Sequence, residues 1–262
     1  MYQHATSPRS IGQVLDSVFK LMKPAFVPLI GYAIIGAVIS LAPWIYMYQQ
    51  GVLENPLLMI EMFSASGFWV VILVMMPLNA IVGGAALLRT QSIARGEASS
   101  FGESLKGVGG HVVALILGML GYLVAVMIGT VLLIVPGIIL MISLAMFLPA
   151  IVLGGKGAID GLKYSHKLVW GNWWRTATVY TIGFIIMYVL MLVIGVVLGL
   201  AFAFTGTDLV ATMLVDAASS IISGLVAMPF FCALLYEIYT DLRMRKSGDD
   251  LGARIEATSA VR

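Results

Sequence analysis

Six long stretches without a single charged residue govern what this chain can fold into: Phe26–Tyr48, Gly67–Leu88, Val112–Ile134, Gly137–Gly155, Thr176–Phe204 and Ala217–Tyr236. A helix needs about 20 residues to cross the hydrocarbon core of a bilayer, and each stretch comes near that length or exceeds it. Barrel strands would alternate polar and apolar residues, which these stretches do not. The expected fold is therefore an all-α polytopic membrane protein. Composition agrees: 60% of the residues are hydrophobic and 11% charged, too few charges to cover the surface of a soluble domain. A disordered chain, a disulfide scaffold and a free nucleic-acid-binding domain are excluded together. The lone cysteine, Cys232, sits in an apolar run and reads as a small hydrophobe.

The third and fourth stretches nearly merge. As one helix, Val112–Gly155 would run about 66 Å against a core of about 30 Å. Two helices joined by a tight turn at Val135-Pro136-Gly137 fit better, since a Pro-Gly pair is a strong turn signal. The charges give a second argument. All 15 Lys and Arg lie in four segments, 1–25, 89–111, 156–175 and 237–262, whereas 49–66, 135–136 and 205–216 hold none and carry Glu54, Glu61, Asp208 and Asp216. Basic residues stay cytoplasmic. Six transmembrane helices with both termini in the cytoplasm satisfy that pattern, and the bacterial inner membrane is the expected location. Trp44, Tyr46, Tyr48 and Trp69 then belt the outer side, and Trp170, Trp173 and Trp174 the inner one. The polar first 23 residues do not resemble a signal peptide, so the first span is expected to be retained. The division is a cytoplasmic segment 1–25, a membrane domain 26–240 and a polar tail 241–262.

Amphipathic helices are expected on the cytoplasmic face. Ile11, Val14, Leu15, Val18, Phe19 and Met22 form one helical stripe, opened by a capping-box pair, Ser10 and Gln13. Ser100 and Glu103 repeat the pair, and Gly157 with Asp160 gives a weaker third copy. Each copy precedes a pair of spans whose second member holds a proline with a methionine just before it: Pro77, Pro149 and Pro229, with Met76, Met146 and Met228. The expectation is three repeats of an interfacial helix plus two spans. Gly121-Ala125-Gly129 and Gly195-Gly199 have the spacing of close helix packing inside the bundle.

Little chemistry is available. Glu237, at the inner end of the last span, is the ionisable group nearest the membrane interior, which weighs against a proton-coupled carrier. His4, His111 and His166 have no metal-ligand spacing, and no phosphate-binding loop, dinucleotide fingerprint or nucleophile elbow occurs. No enzyme activity, cofactor, metal or nucleic-acid partner is expected. Two candidate sites remain. Pro77, Asn79, Pro149 and Pro229 would shape a cavity or hinge between kinked helices. Arg89, Arg95, Lys163, Lys167, Trp170, Trp173 and Arg175 would meet lipid headgroups.

Several segments resemble a known family. Ile11-Gly12-Gln13-Val14-Leu15-Asp16-Ser17-Val18-Phe19-Lys20 is similar to the opening of membrane proteins related to the membrane domain of glycerophosphoryl diester phosphodiesterases and to YciC-type inner-membrane proteins. Val135-Pro136-Gly137-Ile138-Ile139 resembles their mid-chain turn. The segment from Ala158-Ile159-Asp160-Gly161-Leu162-Lys163 to Trp170-Gly171-Asn172-Trp173-Trp174 resembles their most recognisable region, and Tyr239-Thr240-Asp241-Leu242-Arg243-Met244-Arg245-Lys246 their close. Gly154 departs from the pattern, standing where an acidic residue is common, and only the short segment 237–262 follows the last span, so no catalytic domain is expected. The resemblance implies a helical inner-membrane protein. Its expected role is non-enzymatic: binding lipid, another membrane protein or a second copy of itself in envelope organisation. The alternative is a transporter, channel or export component using a cavity between the proline-kinked helices.

Overall fold

The computed structural model describes residues 2, 7–52, 55, 57–202 and 209–259; for 201–202, 209–214, 216 and 249–259 it describes the backbone alone. His4, Glu54 and Asp208 lie outside the described residues. Eleven helices are described: α1 (Ile11–Ser40), α2 (Ala42–Gln49), α3 (Leu58–Ser64), α4 (Ser66–Arg95), α5 (Phe101–Gly109), α6 (Val112–Leu132), α7 (Ile134–Leu144), α8 (Phe147–Val152), α9 (Ala158–Val169), α10 (Trp173–Phe202) and α11 (Leu209–Ser259). No strand occurs among the described residues. Among the described residues, six helical segments are long and apolar enough to cross a bilayer: Ile11–Gln49, Ser66–Arg95, Val112–Leu132, Ile134–Val152, Trp173–Leu200 and Ala217–Gly248.

Local signals set the helix starts. Both halves of the capping box form at α1: the Gln13 backbone N–H donates to Ser10 Oγ at 3.3 Å, and the Ser10 N–H donates to Gln13 Oε1 at 2.8 Å. The α5 box is equally complete, at 3.2 Å and 2.6 Å between Ser100 and Glu103. These bonds occupy N–H groups that the first helical turn leaves without partners. Gly157 caps α9 with an extended backbone and no side-chain bond. Ser10, Ser100 and Gly157 thus stand at the starts of α1, α5 and α9.

Along α1 the buried residues Val14, Val18, Leu21, Ala25, Leu29 and Tyr32 recur every three or four positions and form one seam. α1 packs antiparallel on α11, with Val14, Val18 and Leu21 in the shared core, while Tyr32 meets Phe101 of α5 with ring centroids 4.5 Å apart. Phe19 meets Phe230 with ring centroids 5.8 Å apart, and farther along a Cβ on Gly224 would lie 3.4 Å from the Ala33 carbonyl oxygen. On α10, a Cβ on Gly183 would come within 2.8 Å of Leu234, so the glycine lets α10 approach α11 closely. Gly195 and Gly199 behave otherwise: among the described residues nothing stands within 4 Å of a Cβ at either, so no close helix contact is described there.

The α6–α7 junction departs from expectation. The break is at Leu133, whose extended backbone (φ −163°, ψ 145°) ends α6 and opens α7. Pro136 lies inside the first turn of α7, where its missing N–H has no intrahelical acceptor to lose. Gly137 packs rather than turns: a Cβ on the facing Gly129 would lie 3.1 Å from the Gly137 backbone, so the pair brings the two helices together. The second arm is itself broken, between α7 and α8. There Ser165 of α9 donates to the Ser143 carbonyl at 2.9 Å and accepts from the Met146 N–H at 3.0 Å, replacing ladder bonds with a side chain. Pro149 sits just past that break, where it can offer no N–H to the Ala145 carbonyl.

α9 packs on this hairpin over its full length. Gly161 lies against Ile151, Leu162 against Gly121, and Ser165 against Ser143 and Met146. Beyond α9, Trp173 Nε1 donates to the Ile139 carbonyl at 3.2 Å. The charge pattern predicts the turn near Val135 on the face opposite Trp170, Trp173 and Trp174; in the structure Val135 lines one cavity with all three.

Candidate functional site: a tryptophan-lined groove beside a buried arginine–carboxylate network

The groove is built where α9 hands over to α10. α9 has Asp160 in its first turn and His166 and Lys167 in its last, charges that match the helix dipole. Its small and apolar residues Gly161, Ser165, Leu168 and Val169 are buried against the hairpin. The opposite stripe, Asp160, Lys163, His166, Lys167 and Trp170, is exposed. The His166 and Trp170 rings lie 5.1 Å apart on that stripe. At Gly171 the backbone adopts φ +98°, which glycine alone enters without strain, and the chain turns into α10. The Asn172 carbonyl accepts from the Thr176 N–H at 2.9 Å and from Thr176 Oγ1 at 3.0 Å, securing the first turn of α10.

Between this corner and the start of α7 lies a cavity of ≈ 790 Å³, lined by Val135, Ile138 and Ile139 on one side and Trp170 to Arg175 on the other. Its size is that of a small-molecule or acyl-chain site. Trp174 is 80% exposed and Trp170 58%, whereas Trp173 is held by its bond to Ile139. The groove is thus apolar along its length, with a cationic helix face beside it.

Arg175 closes one end and belongs to a second feature. Its guanidinium donates to Asp241 Oδ2 from Nε at 3.2 Å and from Nη2 at 3.0 Å, and Nη2 also donates to the Arg9 carbonyl. Arg245 Nε donates to the same Asp241 oxygen at 2.9 Å, and its Nη2 to the Arg9 carbonyl at 2.6 Å. The Arg9 backbone N–H donates to Asp241 Oδ1 at 2.8 Å. Arg9 Nη1 donates to Glu237 Oε2 at 2.8 Å and also to Ser17 Oγ, and the Tyr2 hydroxyl donates to Glu237 Oε1 at 2.6 Å. The carboxylates are deeply buried, the Glu237 side chain 2% exposed and the Asp241 side chain 5%. Burial, reinforced by the bond to Glu237, pushes the Tyr2 phenol above its ordinary range. The network ties the segment before α1 to α10 and α11. Its donors are committed, so its chemistry is that of a clasp.

The expected headgroup residues therefore divide. Lys163, Lys167 and Trp170 share the exposed stripe of α9, and Trp173 opens α10 with its indole bonded to Ile139. Arg175 lines the groove, but its charge is engaged by Asp241. Arg89 is turned to the Ser99 carbonyl and hydroxyl, and Arg95 stands at the end of α4, 3.8 Å from Glu97. Of the expected hinge residues, Asn79 and the neighbour of Pro229, Met228, both pack toward Gly36 of α1. Asn79 Nδ2 donates to the Met75 carbonyl of its own helix at 3.3 Å and packs toward Gly36 of α1. Pro149 is buried in α8, and Pro229 lies within α11. The groove is lined by none of the four. The clasp went unread in the sequence. Its one local signal is the spacing of Glu237, Asp241 and Arg245, four residues apart on one helix face.

A family model described as a domain of unknown function (DUF7847) matches residues 57–242, most of the chain, and the chain belongs to that family. No curated protein and no solved structure matches the chain.

Proposed function

From membership of a family without an assigned activity, we propose that this integral membrane protein binds lipid non-enzymatically at the groove between α7 and the α9–α10 corner. The acyl portion lies along Val135, Ile138, Ile139 and the tryptophans. An anionic headgroup is met by Lys163 and Lys167. The observation that carries this reading is the continuity of the two surfaces: the exposed stripe of α9 runs through Lys163, His166 and Lys167 to Trp170, which lines the cavity. Indole rings favour the membrane–water boundary, and each cation near an anionic leaflet contributes about 1 kcal/mol.

In the same reading, the basic face is cytoplasmic, both termini lie there, and the membrane is the bacterial inner membrane. Three diverged copies of an interfacial helix plus two helices account for the capped starts of α1, α5 and α9. Kinship with the phosphodiesterase membrane domain rests on the segments quoted above. The transporter alternative draws on Pro77, Asn79, Pro149 and Pro229; with Asn79 bonded inside its own helix and none of the four lining the groove, lipid binding is preferred.

The test is native mass spectrometry of the purified protein with anionic and zwitterionic phospholipids. Retention of anionic lipid is expected, reduced about 10- to 30-fold in a Lys163→Gln/Lys167→Gln variant if each cation contributes about 1 kcal/mol. Equal retention of both lipid classes, unchanged in the variant, contradicts the proposal.

A further inference from the structure

Two of the six apolar segments are neighbours of a charged helix. Against that helix, we infer that α6 and the α7–α8 arm form a hairpin that stays on the basic face and sinks its apolar surface into one leaflet, so that α1, α4, α10 and α11 alone cross the bilayer. This does not depend on lipid occupying the groove.

The argument starts from depth. Arg175, near the start of α10, is clasped with Asp241, Arg245 and Arg9, and a cluster of five ionisable groups that includes Glu237 does not belong in hydrocarbon. Two residues away, Trp173 is bonded to Ile139. The level of Ile139 is therefore that of the membrane face where α10 begins. From Ile139 to the turn at Leu133 is six residues, or about 9 Å of helix. A hairpin crossing the core would need its turn about 30 Å from that face.

The flank of the hairpin gives the same answer. α9 lies along it from Ile151 to Ser143 and exposes Asp160, Lys163, His166 and Lys167 over that distance. If the hairpin spanned the core, these charges would face acyl chains. Laid in the interface, the same unit is two-sided: α9 faces the headgroups and water, and the hairpin faces the lipid. The exposed surface of the hairpin has the composition for that, with Leu117, Val124, Ile128 and Val131 on α6 and Ile138 and Met141 on α7. The turn residues Leu132, Leu133, Ile134 and Val135 are each more than 60% exposed and wholly apolar. Their free backbone groups need the polar boundary that an interfacial position supplies. The distribution of Lys and Arg is the same for four crossings as for six, because the hairpin begins and ends on the basic face either way.

The test uses the full chain with Cys232→Ala and single cysteines at Leu133, Gln50 or Lys167, treated with a membrane-impermeant maleimide in vesicles of each orientation. Leu133→Cys is expected to react from the face that labels Lys167→Cys and not from the face that labels Gln50→Cys. Labelling of Leu133→Cys together with Gln50→Cys overturns the inference. A second assay covers a turn too shielded to react: an Ile138→Cys/Trp174→Cys pair and a bifunctional thiol reagent of about 10 Å reach, well short of the core thickness of about 30 Å. Cross-linking is expected, and its failure in a protein that still labels at Lys167→Cys contradicts the inference.

Discussion

The bundle of α1, α4, α10 and α11 and the block of α6 to α9 are both dominated by apolar helices, yet their ends are finished in opposite ways. In the bundle, charges collect at one end and neutralise one another: Arg9, Arg175 and Arg245 on Glu237 and Asp241. In the block, charges run along one side, on the open stripe of α9. A helix with its charges at the end can stand across a bilayer. A unit with charges along its flank lies at the surface. Apolar length measures how much lipid contact a segment tolerates, and the neighbours decide how that contact is oriented.

The comparison can be broken first at the clasp. Asp241→Ala takes the acceptor away from the Arg175 and Arg245 guanidiniums and the Arg9 backbone N–H, and removing one partner of a buried pair costs about 3–5 kcal/mol. A large loss of resistance to unfolding in detergent is expected, whereas Lys163→Gln, on the open stripe, should leave stability unchanged. Equal effects would erase the distinction between the two regions. The block can be broken at Gly161, where a Cβ would come within 2.7 Å of Ile151. Gly161→Leu should cost about 1–3 kcal/mol by overpacking and increase hydrogen exchange in α9 while sparing the α1–α11 seam. Ser165→Ala removes the side chain that bridges the α7–α8 break, leaving the buried Met146 N–H without its partner, at about 1–3 kcal/mol. Exchange confined to Ser143–Pro149 is the expected readout.

The smallest effect is pH-dependent. Backbone and side-chain hydrogen bonds with Ser100 hold the Glu103 carboxyl below its ordinary value. A depressed carboxylate stabilises the folded state above its unfolded pKa, about 4.3, and that contribution disappears as pH falls through the lower folded value. Amide exchange at the start of α5 should therefore rise on acidification below about pH 4, and Glu103→Gln should remove most of that dependence.

What could be read from the sequence followed the range of the interactions. The caps at Ser10 and Ser100 span three residues, and both formed as the residue pattern predicts. The apolar segments were equally visible, because apolarity is a property of each segment alone. The Val135-Pro136-Gly137 turn misled because proline suits the first turn of a helix as well as a loop, and glycine suits a close helix contact as well as a bend. The clasp was out of reach because Arg9 and Glu237 are 228 positions apart. Among the expected headgroup residues, Lys163, Lys167 and Trp170 lie on one exposed stripe because they share or end one helix, while Arg89 and Arg95 share only their charge with them.

The central claim is that the turn of the hairpin and the start of α10 share one membrane face. Spin labels at Leu133 and Trp174, and in a second sample at Leu133 and Gln50, measure this directly in lipid nanodiscs by dipolar spectroscopy. The account predicts a separation under about 20 Å for the first pair and beyond the core thickness of about 30 Å for the second. The reverse order of distances would contradict it.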